Sequence, residues 1–156
     1  MKIQWKEGLI CILVPLTVGN LSALFAGNSM EAFQSFNQPF LSPPGWVFPV
    51  VWTILYIFMG IASCFVLSSG KPSRTALVFY GIQLAVNFFW SIFFFTFEWY
   101  LFSFIWLILL WILILITTVL FYQISKPAGR LMLPYLLWVT FAGYLNLAIF
   151  LLNKKM

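Results

Sequence analysis

The side chains that could do chemistry in this chain are amides, hydroxyls and indoles set within apolar runs. Gln83 and Asn87 are four apart, and Trp90 and Ser91 continue the same helical face. Pro134, Trp138, Ala142 and Asn146 recur every four residues, with Tyr135 and Tyr144 nearby. Trp46, Trp52 and Tyr56 lie in or after a proline-rich stretch, and Asn20 and Ser22 sit in the first apolar run. Indole rings offer stacking surface and amides offer orientation, so this set suits a flat, mostly apolar ligand. The plainer reading is that the polar groups bond to one another and tie helices together, each bond worth roughly 1 kcal/mol. That reading is the stronger one for Asn20, Ser22 and Asn146, and Gln83 and Asn87 are balanced between the two. Trp5 and Trp99 sit where an interfacial aromatic belt would place them. Trp52 and Trp138 fit a belt less well, being about 10 and about 8 residues into their helices, more than two turns from the start.

Several reaction classes are excluded. The chain has no histidine, which removes Ser-His-Asp and Cys-His catalysis and the commonest axial ligand of haem iron. Cys11 and Cys64 are isolated within apolar runs, so they make no metal motif, and a structural disulfide is not expected. Away from the chain ends, the only acidic groups are Glu31 and Glu98, both between apolar runs. An ion-driven pump normally needs a buried carboxylate or histidine, and acid–base catalysis needs a base near neutral pH. Any reaction here would have to use the redox reactivity of indole.

The elements that must position these residues are membrane helices. The chain is 63% hydrophobic and 7% charged, with a mean hydropathy of +1.04, against roughly 25% charged residues in an average soluble chain. Charges are absent from residues 8–30, 32–70, 75–97, 99–125 and 131–153. Each run exceeds the roughly 20 helical residues needed to cross a hydrocarbon core. No period-two alternation suggests a β-barrel. The expected fold is therefore all-α, a five-transmembrane-helix bundle forming one domain over 1–156. Its spans are about 6–27, 43–67, 74–96, 100–124 and 130–152, with a long loop over 28–42. The first run reads as a span, with Pro15 as a possible bend, because no cleavage site follows it. Ser42 is expected to cap the second span, with Pro43 and Pro44 in its first turn and Pro49 as a kink. Glu98 marks a tight turn, and Lys126, Pro127 and Gly129 another. A connection as long as 28–42 is expected to act as a lid.

The net charge of +5 does not form a nucleic-acid-binding patch. Lys2, Lys6, Lys71, Arg74, Lys126 and Arg130 fall on one side of the five spans, and only Lys154 and Lys155 on the other. The positive-inside rule then places the N-terminus in the cytoplasm, with the C-terminus and the long loop outside. Gly19, Ala23 and Gly27, and again Gly81 and Ala85, form small-residue stripes that permit close helix approach, within or between subunits.

Three stretches resemble one known family. Pro43-Pro44-Gly45-Trp46-Val47-Phe48-Pro49-Val50-Val51-Trp52-Thr53-Ile54-Leu55-Tyr56 looks like the signature of the TspO/MBR family, the translocator or tryptophan-rich sensory proteins. Gln83-Leu84-Ala85-Val86-Asn87-Phe88-Phe89-Trp90-Ser91 agrees with it, as does the run from Pro134 through Trp138 and Ala142 to Asn146. The resemblance covers nearly the whole chain, is nearest to the bacterial branch, and implies residence in a bacterial cell membrane. It implies a five-helix bundle, often a homodimer, with an intramembrane pocket near the first loop. That pocket would bind porphyrins such as protoporphyrin IX and benzodiazepine-site ligands, either as a receptor or transporter or, alternatively, as a light-dependent porphyrin-degrading enzyme. Porphyrin would be ligand or substrate, with no permanent cofactor and no metal. Trp52 and Trp138 match the two pocket tryptophans tied to degradation, Asn87 a pocket residue, and Ala142 a small residue whose size affects ligand fit. Residues and resemblance together give an expected ligand-binding set of Ser22, Trp46, Pro49, Trp52, Tyr56, Gln83, Asn87, Trp90, Trp138, Ala142 and Asn146. The family's cholesterol motif needs a basic residue soon after Tyr144. Leu145-Asn146-Leu147-Ala148-Ile149 follows instead, so the motif is missing.

Overall fold

The computed structural model describes residues 5–27 and 29–153. Lys2, Asn28, Lys154 and Lys155, each assigned a place above, lie outside the described residues. The elements are α1 (Trp5–Phe25), α2 (Ser29–Ser35), α3 (Val47–Ser68), α4 (Arg74–Ser91), α5 (Tyr100–Ile124) and α6 (Lys126–Leu152). A π-helical turn over Ile92–Thr96 extends α4. Five helices are long and apolar enough to cross a membrane: α1, α3, α4 with its π turn, α5 and α6. No strand occurs among the described residues.

The five long helices close into a ring in the order α1, α3, α6, α5, α4. Apolar side chains fill its interior, with Met59, Val66, Leu110, Ile114, Met132 and Ile149 fully buried. Two contacts show which connections share an end. Lys71, between α3 and α4, donates from Nζ to the Ile124 carbonyl at 2.9 Å, a cation on the free carbonyls at the end of α5. At the opposite end Asn153, just past α6, accepts from the Asn37 backbone N–H at 3.1 Å.

The connection over 28–42 and the starts of the second and last spans differ from the expectation. The connection over 28–42 is not a plain loop, because it contains the two-turn helix α2. The second span begins at Val47, not 43. Ser42 and Pro43 each precede a proline, which disfavours a helical start before Pro44. Ser42 caps nothing there; its hydroxyl donates to Gln38 Oε1. Pro49 consequently falls in the first turn of α3, where a missing N–H removes no helical bond, and it is not a mid-helix kink. The last span begins at Lys126, with Pro127 in its first turn, and Ser125 alone, in extended backbone, joins it to α5. Gly129 permits this tight join, since a Cβ there would lie 2.4 Å from Tyr122 Cβ. Glu98 does make the tight turn before α5, with a φ of 54°.

Candidate functional site

A cavity of about 280 Å³ opens between α1, α3, α4 and the α2 segment. Its α1 wall is small: Gly19, Ser22, Ala23, Ala26 and Gly27. Facing it from α3 are Phe48, Pro49, Trp52 and Tyr56, and from α4 and its π turn come Asn87, Trp90, Ser91 and Phe95. Phe33 of α2 completes the lining. The helical repeat explains the sets. Phe48, Trp52 and Tyr56 are four apart on one face of α3, as are Asn87 and Ser91 on α4, and Gly19 and Ala23 on α1. Phe95 continues the Asn87–Ser91 spacing onto the π turn.

The aromatic wall is continuous. Trp52 stacks on Tyr56 with centroids 5.6 Å apart and lies 6.3 Å from the ring of Trp90. The ring of Phe33 meets Phe48 edge-on at 4.7 Å, and Phe36 meets Phe94 and Tyr100 at 6.1 and 5.3 Å. These contacts hold α2 across the cavity mouth. Gly19 sets the depth of the opposite wall, for a Cβ there would come within 2.1 Å of the Tyr56 ring.

Polar groups at the inner end are joined across helices. The Tyr56 hydroxyl donates to Asn87 Oδ1 at 2.9 Å, and Asn87 Nδ2 donates to the Tyr135 hydroxyl at 2.7 Å. Tyr135 donates onward to Gln83 Oε1 at 2.8 Å. A second network joins α4, α5 and α6: Trp90 Nε1 and Ser103 Oγ donate to Asn146 Oδ1 at 3.2 and 3.1 Å, and Asn146 Nδ2 donates to the Tyr100 carbonyl at 2.8 Å. Ser22 hydrogen-bonds to Ser91 and to the Phe88 carbonyl, tying α1 to α4.

Six of the eleven expected residues therefore share the cavity: Ser22, Pro49, Trp52, Tyr56, Asn87 and Trp90. Gln83 and Asn146 are buried behind it as partners in the two networks. Ala142 is buried in the core on α6. Trp46 precedes α3 and is 65% exposed. Trp138 does not line the cavity. Its ring packs 5.9 Å from Phe48, on the side where α6 meets α3, while the cavity lies on the side of α1 and α4. Trp138 Nε1 is buried with no hydrogen-bond partner. Asn20, by contrast, bonds only within its own helix, to the Leu16 carbonyl.

The residues not anticipated as lining are the aromatics Phe33, Phe48 and Phe95, with Ser91 and the small residues Gly19, Ala23, Ala26 and Gly27. Ser91 and the Gly19–Ala23 stripe had visible signals in their four-residue spacing. The stripe on α4 differs, because Gly81 has open space around its Cβ position and faces outward with Ala85. No three His, Cys, Asp or Glu side chains come together among the described residues.

A five-span α-helical bundle, with an aromatic cavity lined by three of its spans, defines an integral membrane protein. The chain belongs to the TspO/MBR family, whose pattern it matches over residues 11–152. It is 40% identical to the tryptophan-rich protein TspO of Chlorobaculum tepidum over 148 residues, covering 92% of this chain and 94% of that one. It is 39% identical to the tryptophan-rich protein TspO of Archaeoglobus fulgidus, covering 91% and 94%. The translocator protein of Bos taurus is 31% identical, with 91% of this chain and 87% of that protein covered.

Proposed function

We propose that this chain is a membrane receptor, or transporter-like protein, for flat apolar ligands, with porphyrins such as protoporphyrin IX and benzodiazepine-site compounds as the ligand class. The observation that carries the reading is the wall formed by Trp52, Tyr56 and Trp90 facing a small-residue wall on α1. An aromatic wall facing a small-residue wall makes a slot for a planar molecule, and Asn87, Ser22 and Ser91 offer the few polar atoms that would orient it. At about 280 Å³, the cavity lies near the lower bound of ligand pockets, roughly 300–1,000 Å³. A whole tetrapyrrole therefore needs α2 to move aside, whereas a smaller ligand does not.

The second reading is light-dependent porphyrin degradation. Its support is that Trp52 lies within ring contact of Tyr56, Trp90 and Tyr135, so an oxidised indole has aromatic neighbours to share the charge. The test is a porphyrin titration of purified protein in the dark and under light, with and without oxygen. Saturable dark binding supports the receptor; loss of the porphyrin spectrum only under light and oxygen, with protein present, supports the enzyme. Absence of saturable binding sinks both. The same proposal includes a bacterial cell membrane with the N-terminus cytoplasmic and the C-terminus outside, as Lys71 before α4, Arg74 at its start, and Lys126 and Arg130 at the start of α6 suggest. It also includes a homodimer.

A further inference from the structure

Outside the cavity, two thiols meet at the seam between α1 and α3. The two helices approach closely at Gly60, where a Cβ would lie 2.7 Å from Ile12 Cα and 2.9 Å from the Cys11 carbonyl oxygen. One turn beyond Gly60, Cys64 reaches across to α1, with its Sγ 3.7 Å from the Gly8 carbonyl. Gly8 lies one turn before Cys11, so Cys64 faces the stretch of α1 that carries Cys11. Both thiols are free. Cys11 is buried and Cys64 half-buried.

We propose that Cys11 and Cys64 form an oxidisable pair that closes to an intramolecular disulfide between α1 and α3. A disulfide needs Cα atoms about 4.4–6.8 Å apart, and a seam whose backbones nearly touch at Gly60 brings two helices into that range. The oxidant that fits the location is a lipid-soluble quinone. Both S–H bonds break, one S–S bond forms, and two protons and two electrons pass to the quinone, which leaves as hydroquinone. Buried thiols are weak nucleophiles, so charged oxidants confined to water react slowly here, while a quinone dissolved in the bilayer has access through half-buried Cys64.

The bond would bolt α1 to α3 about 12 Å, roughly two turns, from the Gly19–Tyr56 contact in the cavity wall. Slower ligand exchange in the oxidised protein is expected; that consequence alone rests on the binding reading, and the oxidation itself does not. The test uses full-length protein in neutral phospholipid vesicles, treated with tetramethylbenzoquinone or with oxidised glutathione. Free cysteines are alkylated after denaturation and the intact mass is read. The expected result with the quinone is a monomer with neither cysteine alkylated, both recovered after dithiothreitol, and little change with oxidised glutathione. Cys11→Ser and Cys64→Ser should each leave the remaining cysteine free. Two alkylated cysteines after quinone treatment, or a disulfide formed only between chains, would overturn the proposal.

Discussion

The Tyr56 hydroxyl donates to Asn87 Oδ1 at 2.9 Å, and this bond joins the cavity wall to the interior network. Asn87 is the hinge of that arrangement, accepting from α3 and donating to Tyr135 on α6. Asn87→Ala leaves the buried Tyr56 hydroxyl without its acceptor and frees one side of Tyr135. The expected loss is about 1–3 kcal/mol of stability, the usual cost of a buried polar group left unpaired. Tyr56→Phe removes only the donor and should cost less, about 0.6 kcal/mol, as interhelical bonds in membranes average. Thermal unfolding of both variants in the same detergent measures the difference; equal losses would show that the Tyr56–Asn87 bond accounts for the whole effect of Asn87→Ala.

Gly19 tests the same wall from the other side. A methyl group there would sit 2.1 Å from the Tyr56 ring, which is held by Asn87 and by stacking with Trp52. Gly19→Ala should push the ring aside, break the Tyr56–Asn87 bond and shrink the slot. Overpacking of this kind typically costs about 1–3 kcal/mol. Ligand affinity should fall together with stability, and a titration beside a melting curve reads both. Full affinity in Gly19→Ala would place the ligand elsewhere.

Much of this architecture was legible because charge-free runs and turn residues mark membrane helices directly. The four-residue repeats likewise put Trp52, Tyr56, Asn87 and Trp90 on faces that do converge. What stayed hidden depends on which helix neighbours which. The repeat on α6 is as regular as that on α4, yet the ring order places α6 beside α5 and on the far side of α3 from α1. Trp138 is thereby separated from the cavity by Phe48. The cover was hidden for a different reason: seven residues of α2 are too few for periodicity to stand out among polar neighbours. Pro43 and Pro44 do carry a signal for the later helix start, since each constrains the residue before it.

The α2 segment should control exchange. Phe33 is buried, lines the cavity and packs on Phe48, so it closes the mouth through one apolar contact. Phe33→Ala, or shortening residues 30–36, should raise the ligand off-rate more than it changes the on-rate. Stopped-flow displacement of a bound porphyrin supplies the measurement. An unchanged off-rate would reduce α2 to a connector.

Topology can be tested at Gln34, an exposed residue of α2. In a Cys11→Ser, Cys64→Ser background, Gln34→Cys should react with a membrane-impermeant maleimide added to intact cells. Reaction only after permeabilisation would reverse the orientation inferred from the basic residues.

The two tryptophans separate binding from chemistry, and the structure assigns them unequal parts. Trp52 lines the cavity in ring contact with Tyr56, Trp90 and Tyr135; Trp138 stands behind Phe48 with its N–H unpartnered. Phenylalanine keeps an apolar ring but is much harder to oxidise. Trp52→Phe should weaken porphyrin binding by about threefold to tenfold, the equivalent of losing about 0.5–1.5 kcal/mol of aromatic contact. If indole oxidation drives degradation, the light-dependent rate at saturating porphyrin should fall far more than that. Trp138→Phe removes a buried donor that bonds to nothing, so it should leave stability unchanged or slightly raised and affinity nearly intact. A large drop in light-driven degradation for Trp138→Phe at normal affinity would mean that charge passes from the cavity through Phe48 to this second indole. Equal loss of binding and degradation in Trp52→Phe would instead limit that indole to shaping the slot.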